Sequence, residues 1–554
     1  MDRKKRPQAK GDKQKDSVVF SERANYAVAS VDPSIQSVRQ QQLYRGQELN
    51  DAGDYEGAYE IAYHWLRMDP EDPAALCLLT TILCNTDKVA VAYPIAKRLT
   101  QIAPDAAVSW LNFGRCAGDL FRYREAERAY KRALDIALDD KTKSSICVNI
   151  SCMLVDHGKY ARAEPWARRA ITFNPESPKG KANLGFCQLS RGDWKEGWRN
   201  YRYAIGENGR FFAQYNNEPL WNGEKGTILV YGEQGLGDEI SFSQMLPDMK
   251  KWCDDNDSRL IVDVNHRLLN LMRRSYPDIE IYGSRAQKYT DFDASPVEYS
   301  TPMGQLGQFF RNSDEDFRRG AFIKADPDRV EMWRHHFSKF NKPIIGIGWQ
   351  GGTWKTAAKF RQLTLEQLLP VMKSVDAHWV SLQYKPAGRQ IAEFKREYPE
   401  IDIVEYAHAT MSNDYDDTIA MMAAMDMIVS MQTTVIHVAG ALGLPAWVFI
   451  PTSSQWRYGE EGENYPWSKS IRLIRQKKDG YWTDVMETTG EELANFPLLS
   501  SAAGETAPDA KLRNNGRKVR RNHKRNGKHD GRKGSPGLRV RKPEKSDEDI
   551  QARP

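Results

Sequence analysis

The sequence TILVYGEQGLGDEISF spans residues 227–242 and decides the fold of the C-terminal region. Its first residues are β-branched or apolar and predict a buried strand, whereas the pattern after residue 238 predicts a helix. Gly232, Gly235 and Gly237 lie between the two, where glycine lets the backbone approach a ligand closely. Because the free amides of a helix N-terminus attract anions, the stretch predicts a strand, a tight loop and a helix suited to chemistry near a phosphate.

The same alternation of strand and helix continues for most of the remaining chain. Strand-like runs are expected at 227–231, 259–264 and 279–282, and a second series at 344–348, 379–383, 401–404, 427–431 and 446–450. Helical patterns separate them, which predicts two parallel sheets with helices on both faces. Ligands bind outside the carboxyl ends of such strands, so residues 232–238 and 432–437 are expected to line one cleft.

The residues before position 208 repeat themselves. Tyr55 and Tyr123 are 68 residues apart, twice 34, and a small residue follows each after three positions: Ala58 and Ala126. A 34-residue period with these residue types resembles the tetratricopeptide repeat, in which each unit is a pair of antiparallel helices. About five units are expected, with the aromatic and small residues packing the core and the concave face available to a ligand.

Both ends of the chain are basic and poor in apolar residues. Residues 504–554 carry 16 Lys and Arg against 7 Asp and Glu, whereas the whole chain has a net charge of only +6. This composition predicts disordered termini. The C-terminal tail suits a polyanion, with a solvated tail that has no specific partner as the alternative.

Compartment is predicted from the cysteines and from hydropathy. The seven cysteines are odd in number and lack metal-ligand spacing, which favours reduced thiols in a cytoplasmic protein. The sequence has no apolar run long enough to predict a membrane span. The predicted organisation is an arm at 1–35, a solenoid at 36–207, a connector at 208–226, α/β halves at 227–335 and 336–495, and a tail at 496–554.

Three motifs carry a resemblance to a known family. EQGLGDEISFSQMLP (233–247), IGIGWQGG (345–352) and QTTVIHVAGALGLPAWVFIP (432–451) resemble the heptosyltransferase-like (glycosyltransferase family 9-like) enzymes, particularly bacterial ones with tetratricopeptide repeats fused in front. The resemblance covers residues 40–495. It implies a GT-B fold of two Rossmann-like halves, with a nucleotide-sugar donor on the C-terminal half and the acceptor on the N-terminal half. It also implies inversion at the sugar without a metal or other cofactor.

The resemblance places Asp238 where the family has its presumed catalytic base. An inverting transfer needs one carboxylate to take the proton of the acceptor hydroxyl, because a nucleoside diphosphate leaves without a general acid. Any Asp before a helix can instead cap that helix, and this alternative stays open. Glu233 and Glu239 are the carboxylates that could replace Asp238, and Gln234, Gly235 and Gly237 complete the cleft loop.

The donor-binding residues are predicted on the second half. Thr433 and Thr434 open a helix directly after a strand, with helix capping as the alternative role, and His437 matches the family's phosphate-contacting histidine, with a core position as its alternative. Gln432 stands where heptosyltransferases have an aspartate, which leaves the donor's identity open. The remaining predicted donor contacts are Arg361 (or, in its place, Lys355 or Lys359), Gly351 and Gly352.

Two D-x-D triplets are candidate metal sites. Asp291 with Asp293, and Asp414 with Asp416, have the spacing of metal-dependent glycosyltransferases, but such triplets also arise by chance and at helix caps, so no metal is expected. Residues 456–458 are expected either to stack on a base or sugar or to pack their own loop. The sequence predicts a glycosyltransferase whose repeats position a glycan or protein acceptor. The alternative is a repeat scaffold with a nucleotide-binding or degenerate GT-B region.

Overall fold

A computed structural model describes residues 33–206, 210, 212–285, 290–317, 320–352 and 361–498, all within one compact unit that spans Met1–Ala503. The first 32 residues of the predicted arm and the predicted tail from residue 499 onward lie outside the described residues, as do Lys355 and Lys359. Among the described residues, no helix is long and apolar enough to cross a membrane.

The N-terminal region is an α-helical solenoid, as the repeats predict. Consecutive helices pack against each other as antiparallel pairs, and five pairs are present among the described residues. The helices are α1 (Pro33–Ala52), α2 (Tyr55–Met68), α3 (Pro73–Asn85), α4 (Val89–Ile102), α5 (Ala107–Asp119), α6 (Tyr123–Ile136), α7 (Asp140–Asp156), α8 (Tyr160–Phe173), α9 (Pro178–Ser190) and α10 (Trp194–Tyr201).

Local sequence explains why these helices start and turn where they do. Asp72 caps α3 by accepting hydrogen bonds from two backbone N–H groups, and Pro73 occupies the first helical position. The turn inside each pair contains one residue in the left-handed region, and these residues are Gly53, Asp87, Phe121, Gly158 and Gly192. The repeated small residues are buried, as predicted: Ala58, Ala92, Ala126 and Ala163 have no exposed surface.

The first α/β half follows the solenoid. Its strands are β1 (Thr227–Tyr231), β2 (Arg259–Asp263), β3 (Glu280–Tyr282) and β4 (Tyr299–Pro302), all parallel in the order β3-β2-β1-β4. Its helices are α11 (Leu236–Ser243), α12 (Leu246–Asp255), α13 (Leu269–Ser275) and α14 (Gly307–Phe310). The sequence predicts one helix after the glycine loop, whereas the structure has two, α11 and α12. Pro247, at the start of α12, has no N–H group with which to continue α11.

The second α/β half has six parallel strands in the order β10-β9-β8-β5-β6-β7. They are β5 (Ile344–Gly348), β6 (His378–Ser381), β7 (Ile403–Glu405), β8 (Met427–Met431), β9 (Ala446–Ile450) and β10 (Ile471–Arg475). The helices are α15 (Pro327–Phe337), α16 (Leu365–Lys373), α17 (Gly388–Glu397), α18 (Ala407–Thr410), α19 (Tyr415–Ala423), α20 (Thr434–Leu442) and α21 (Thr483–Ala494). The strand order reverses between β5 and β8, where ligands of such sheets bind.

The last repeats are packed directly onto both halves. Trp198 of α10 lies against Trp456 of the second half, with ring centroids 5.7 Å apart. Trp194 donates a hydrogen bond of 2.9 Å to Asp314, beyond the first sheet. Tyr160, at the start of α8, donates to the backbone oxygen of Ser454 at 2.9 Å. Because these aromatic residues belong to one continuous core with both sheets, the solenoid is held rigidly against the α/β region.

Candidate functional site

The two halves meet where the loop after β1 faces the N-terminal part of α20. A Cβ on Gly237 would lie 2.7 Å from His437 and 3.1 Å from the backbone of Thr434, so only glycine fits this approach. Ser241 of α11 and the Nδ1 atom of His437 are 2.7 Å apart and hydrogen-bonded. The predicted cleft residues of the two halves are therefore neighbours in the structure.

Asp238 has partners for both of its carboxylate oxygens. Oδ2 accepts a hydrogen bond of 3.0 Å from the N–H of Gly235, which is the capping role. Oδ1 lies 2.8 Å from Nη2 of Arg457, an arginine of the second half. The Asp238 side chain is 23% exposed. The capping alternative is thus observed, and the role of base stays a prediction.

Arg457 belongs to the segment 456–458, for which the sequence predicts stacking or loop packing, but its ion pair with Asp238 is not predicted. Its Nη2 also donates to Oε1 of Gln234 at 3.2 Å, and its guanidinium stacks over the rings of Phe242 and Trp456 at 4.8 and 4.6 Å. Its aromatic contacts are therefore within the protein rather than with a base or sugar. No sequence pattern could have linked Arg457 to Asp238, because the two lie far apart on the chain and belong to different halves.

The two carboxylates considered as substitutes for Asp238 have buried structural partners. Glu233 forms an ion pair of 2.8 Å with Arg210, both fully buried, and accepts from the N–H of Gly304 at 3.0 Å. Glu239 contacts Arg285 and accepts from the N–H of Asn265 at 2.9 Å. Burial raises the pKa of Glu239 to about 7, although Arg285 acts in the opposite direction.

The N-terminus of α20 lies beside the loop after β5. Thr433 is the N-cap residue of α20, but its side chain makes no capping hydrogen bond. A Cβ on Gly351 would lie 2.2 Å from the Thr433 methyl carbon, so glycine is required for this contact. The N–H of Gly351 donates to the backbone oxygen of Arg361 at 3.1 Å, and Gly352 has a φ of 83°. Residues 351, 352, 361 and 433 are therefore brought together as predicted.

Arg361 is a buried cation on which Asp238 acts through space. Only 8% of the residue is exposed, and its guanidinium makes no hydrogen bond or ion pair with any residue that the structure describes. Burial lowers the pKa of Arg361, whereas Tyr458, Asp238 and Tyr160 raise it. Since a buried charge is costly unless an opposite charge or hydrogen-bond acceptor accompanies it, this guanidinium is suited to an anionic ligand.

Gln432 is the other unsatisfied group at the same place. It is 1% exposed, and within the described parts of the chain neither its Nε2 nor its Oε1 atom has a hydrogen-bond partner. Buried amides are normally satisfied, because leaving one unpaired costs about 1–3 kcal/mol. It directly precedes the cap of α20 and offers one donor group and one acceptor atom.

His437 is held between protein side chains. Besides Ser241, its ring nitrogens lie 3.4 Å from the hydroxyl of Tyr458 and 3.5 Å from that of Tyr465. Burial lowers the pKa of His437 to about 4, with Asp238 acting in the opposite direction, so the imidazole is neutral at pH 7. The structure thus shows the core position considered for this residue, and its phosphate contact stays a prediction.

A small cavity of about 60 Å³ opens beside Gly351, at the carboxyl ends of β5 and β6. Its lining is mostly polar and includes four glutamine amides and one lysine. The residues are Gln350, Gly351, Gly352, Gln362, Gln383, Tyr384, Lys385, Pro386, Ala387 and Gln390. Such a lining offers hydrogen-bond donors and acceptors to a polar ligand such as a nucleoside.

The second D-x-D triplet has structural partners. Asp414 accepts from the N–H of Asp416 at the start of α19 and lies 3.0 Å from Arg329. Asp416 pairs with Arg274 at 2.5 Å. In the first triplet, Asp293 accepts from the N–H and the hydroxyl of Ser295. Throughout the described residues, no three His, Cys, Asp or Glu side chains form a group that could hold a metal ion.

Comparison with known proteins supports the repeats directly. The tetratricopeptide repeat family matches residues 107–140, which include α5 and α6. The chain is 28% identical to Protein FlbA of Caulobacter vibrioides over 466 residues, 78% of this chain and 74% of that protein. It is 23% identical over 129 residues to the tetratricopeptide repeat-containing protein trd-1 of Caenorhabditis elegans, of which the match covers only 16%. The chain therefore contains tetratricopeptide repeats followed by an α/β region, and its similarity to FlbA is longer than the solenoid.

Two solved structures are similar to a part of the chain. The PilF protein of Pseudomonas aeruginosa aligns at a TM-score of 0.30 and 14% identity, over 40% of this chain and 89% of that one. A thermophilic tetratricopeptide-repeat protein of Thermus thermophilus aligns at 0.26 and 20% identity, over 30% of this chain and 91% of that one.

Proposed function

We propose that this protein is a metal-independent, inverting glycosyltransferase that moves a sugar from a nucleotide-sugar donor to an acceptor positioned by its tetratricopeptide repeats. The observation that carries the proposal is the buried guanidinium of Arg361, which forms no ion pair or hydrogen bond with the described residues and whose backbone is hydrogen-bonded to Gly351 next to the N-cap of α20. A helix N-terminus and a permanent cation together favour a phosphate group. The resemblance of the three motifs to heptosyltransferase-like enzymes identifies that phosphate as the donor diphosphate.

The orientation of the bound nucleotide-sugar is inferred from the residues around this anion site. Asp238 is close enough to Arg361 to raise its pKa, and Gly351, which is hydrogen-bonded to the Arg361 backbone, lines the cavity at the carboxyl ends of β5 and β6. With the diphosphate at Arg361 and Thr433, the sugar points toward Asp238 and the nucleoside enters the cavity. The orphaned amide of Gln432 then gains a polar partner from the donor.

The reaction is a single displacement at the anomeric carbon. The Asp238 carboxylate takes the proton of the acceptor hydroxyl while the acceptor oxygen bonds to the anomeric carbon. The bond from that carbon to the diphosphate oxygen breaks, and its electron pair leaves with the nucleoside diphosphate. Arg361 and the α20 amides stabilise the charge that develops there, which is the role that a metal has in other glycosyltransferases.

The acceptor side is supported by the way the repeats are attached. Tyr160, at the start of α8, is close enough to influence the pKa of Arg361, so one edge of the solenoid reaches the cleft. A ligand bound along the repeats is therefore held at a fixed distance from Asp238, which reduces the entropic cost of bringing its hydroxyl to the donor. A cytoplasmic location fits the seven cysteines, which form no disulfide within the described residues.

The test is a thermal-shift screen of nucleoside diphosphates and nucleotide-sugars, followed by a transfer assay with the best donor. Arg361→Gln is expected to weaken donor binding at least about tenfold, the loss of one charge-assisted contact. The matched control is Arg389→Gln on α17, because Arg389 is exposed and pairs only with Glu393. Transfer should persist in EDTA. Absence of binding by every nucleotide would overturn the proposal.

A repeat scaffold with a degenerate α/β region is the second candidate. Gln432 favours it, because the heptosyltransferases that the motifs resemble have an aspartate at that position. The two candidates separate in the same screen. A nucleotide that stabilises the protein, combined with no transfer or hydrolysis of any sugar donor, would support the scaffold.

A further inference from the structure

The starting observation is that each oxygen of the carboxylate proposed as the base already has a partner. Oδ2 of Asp238 accepts from Gly235, and Oδ1 is paired with Arg457 at 2.8 Å. A base accepts the proton of the acceptor hydroxyl through an oxygen lone pair directed at the substrate. In the donor-free protein, the Arg457 guanidinium competes with that hydroxyl for Oδ1.

Arg457 is placed to interact with either of two anions. Its guanidinium is only 4% exposed, and Asp238 is its carboxylate partner. Asp238 directly follows Gly237, where a Cβ would lie 3.1 Å from the backbone of Thr434, so the pair of Asp238 and Arg457 lies close to the N-terminus of α20. A diphosphate carries more negative charge than one carboxylate and has more acceptor oxygens, so it competes effectively for a guanidinium.

We propose that Arg457 is a positioning residue that holds Asp238 until the donor binds, and that the donor diphosphate then draws Arg457 away and frees Oδ1. This inference rests on the proposed function. The N–H of Gly235 keeps its hydrogen bond to Oδ2, so the released carboxylate stays oriented in the cleft. The freed Oδ1 takes the proton of the acceptor hydroxyl, and Arg457 stays with the diphosphate as that group leaves with the bonding electron pair.

Two consequences follow. The donor binds before the acceptor reacts, because Arg457 is bound to Oδ1 until then. Without a donor, the ion pair also keeps the carboxylate from activating water. Gln234, whose Oε1 accepts from Arg457 in the donor-free protein, keeps its second hydrogen bond, from Nε2 to the hydroxyl of Tyr201 at 3.0 Å. The cleft loop is thus still held after Arg457 moves.

The experiment measures inorganic pyrophosphate binding to the full chain by calorimetry. Asp238→Asn removes the competitor for Arg457 while preserving shape, so pyrophosphate should bind about tenfold more tightly, the equivalent of one charge-assisted hydrogen bond. In the Arg457→Gln background, Asp238→Asn should give no gain. An equal gain in both backgrounds, or none in either, would overturn the inference.

The control for a through-space effect is Glu460→Gln. Glu460 lies three residues after Arg457 and accepts from the N–H of Ala161. The inference requires Asp238→Asn, but not Glu460→Gln, to tighten binding. Equal gains would contradict it, and this pair keeps the test decisive even if Arg457→Gln does not fold.

Arg361→Gln separates the two proposals. Pyrophosphate binding that is lost in Arg361→Gln, with no coupling between Asp238 and Arg457, contradicts the role of Arg457 and leaves the anion site intact. Absence of pyrophosphate binding in the unmodified protein contradicts both.

Discussion

The two strand–loop–helix junctions of this protein have the same backbone pattern and opposite chemistry. At the junction of β1 and α11, every carboxylate is satisfied within the protein: Glu233 by Arg210, Asp238 by Arg457 and Glu239 by Arg285. At the junction of β8 and α20, the Gln432 amide has no hydrogen-bond partner among the described residues, and the Thr433 side chain makes no capping hydrogen bond with them. The first junction is closed by its own contacts, whereas the second has polar groups available for a ligand.

The largest expected effect comes from breaking a contact of the closed junction. Arg210→Met leaves the buried Glu233 carboxylate without its cation, and we expect a loss of about 3–5 kcal/mol of unfolding free energy. Urea denaturation measures it. Arg259→Met, which breaks a partly exposed pair with Glu280, is the control and should cost less than about 1 kcal/mol. Equal losses of unfolding free energy in Arg210→Met and Arg259→Met would contradict the expected difference between a buried and a partly exposed ion pair.

The next effect concerns His437, which joins the two junctions. Burial lowers the pKa of His437 to about 4, so the unfolded protein binds a proton at this histidine more readily than the folded protein does. The contribution of His437 to stability is therefore present above pH 6.5 and is lost as the pH falls toward 4. Between pH 7 and pH 5 this loss is about 2 kcal/mol.

Glu239, whose pKa is raised to about 7, loses its contribution as pH rises, and therefore acts in the opposite direction. For this reason the measured quantity is the difference between wild type and His437→Gln in the change of unfolding free energy from pH 7 to pH 5. An identical pH dependence in the two proteins would show that His437 titrates as an exposed histidine.

A smaller effect, of opposite sign, is expected from Gln432. Gln432→Leu removes two buried unpaired polar atoms and should raise the unfolding free energy by about 1–2 kcal/mol while weakening nucleotide binding. Gln383 is the matched control, because its amide is hydrogen-bonded. With the amide oriented so that its oxygen faces the backbone donors, it accepts from the N–H groups of Trp349 and Gln350 at 2.7 and 2.8 Å. Gln383→Leu should lower the unfolding free energy. If both substitutions changed the unfolding free energy in the same direction, our interpretation of Gln432 as an unpaired amide would be contradicted.

The smallest effect compares two N-cap threonines. Thr433→Ala should cost less than about 0.5 kcal/mol of stability, because the Thr433 side chain makes no capping bond, while it reduces nucleotide affinity. Thr364→Ala should cost about 1 kcal/mol, since Thr364 caps α16 through a bond of 3.2 Å from the N–H of Gln367, and should leave affinity unchanged. Equal stability losses would show that Thr433 is a structural cap.

Much of this fold was predictable because its signals are local. Strands β1, β5, β8 and β9 begin and end where their apolar runs do, and the 34-residue period placed the helix pairs. Strands β4 and β10 were not predicted. Tyr299–Pro302 ends in a proline, and Ile471–Arg475 alternates with charged residues, so neither resembles the continuous apolar runs of the other strands. Helix α15 spans the predicted boundary at 335/336 and packs against α19.

The sequence by itself determined the repeats, the alternation of strand and helix, and the identity of the polar residues after β1 and β8, because each of these depends on residues close together in the chain. Only the tertiary structure decided which of those residues are satisfied. Whether a carboxylate has a cation depends on groups brought from other elements, such as Arg457 for Asp238. The same folding buried Arg361 and Gln432 without a hydrogen-bond partner among the described residues, and that condition favours a site for a ligand over a residue of the core.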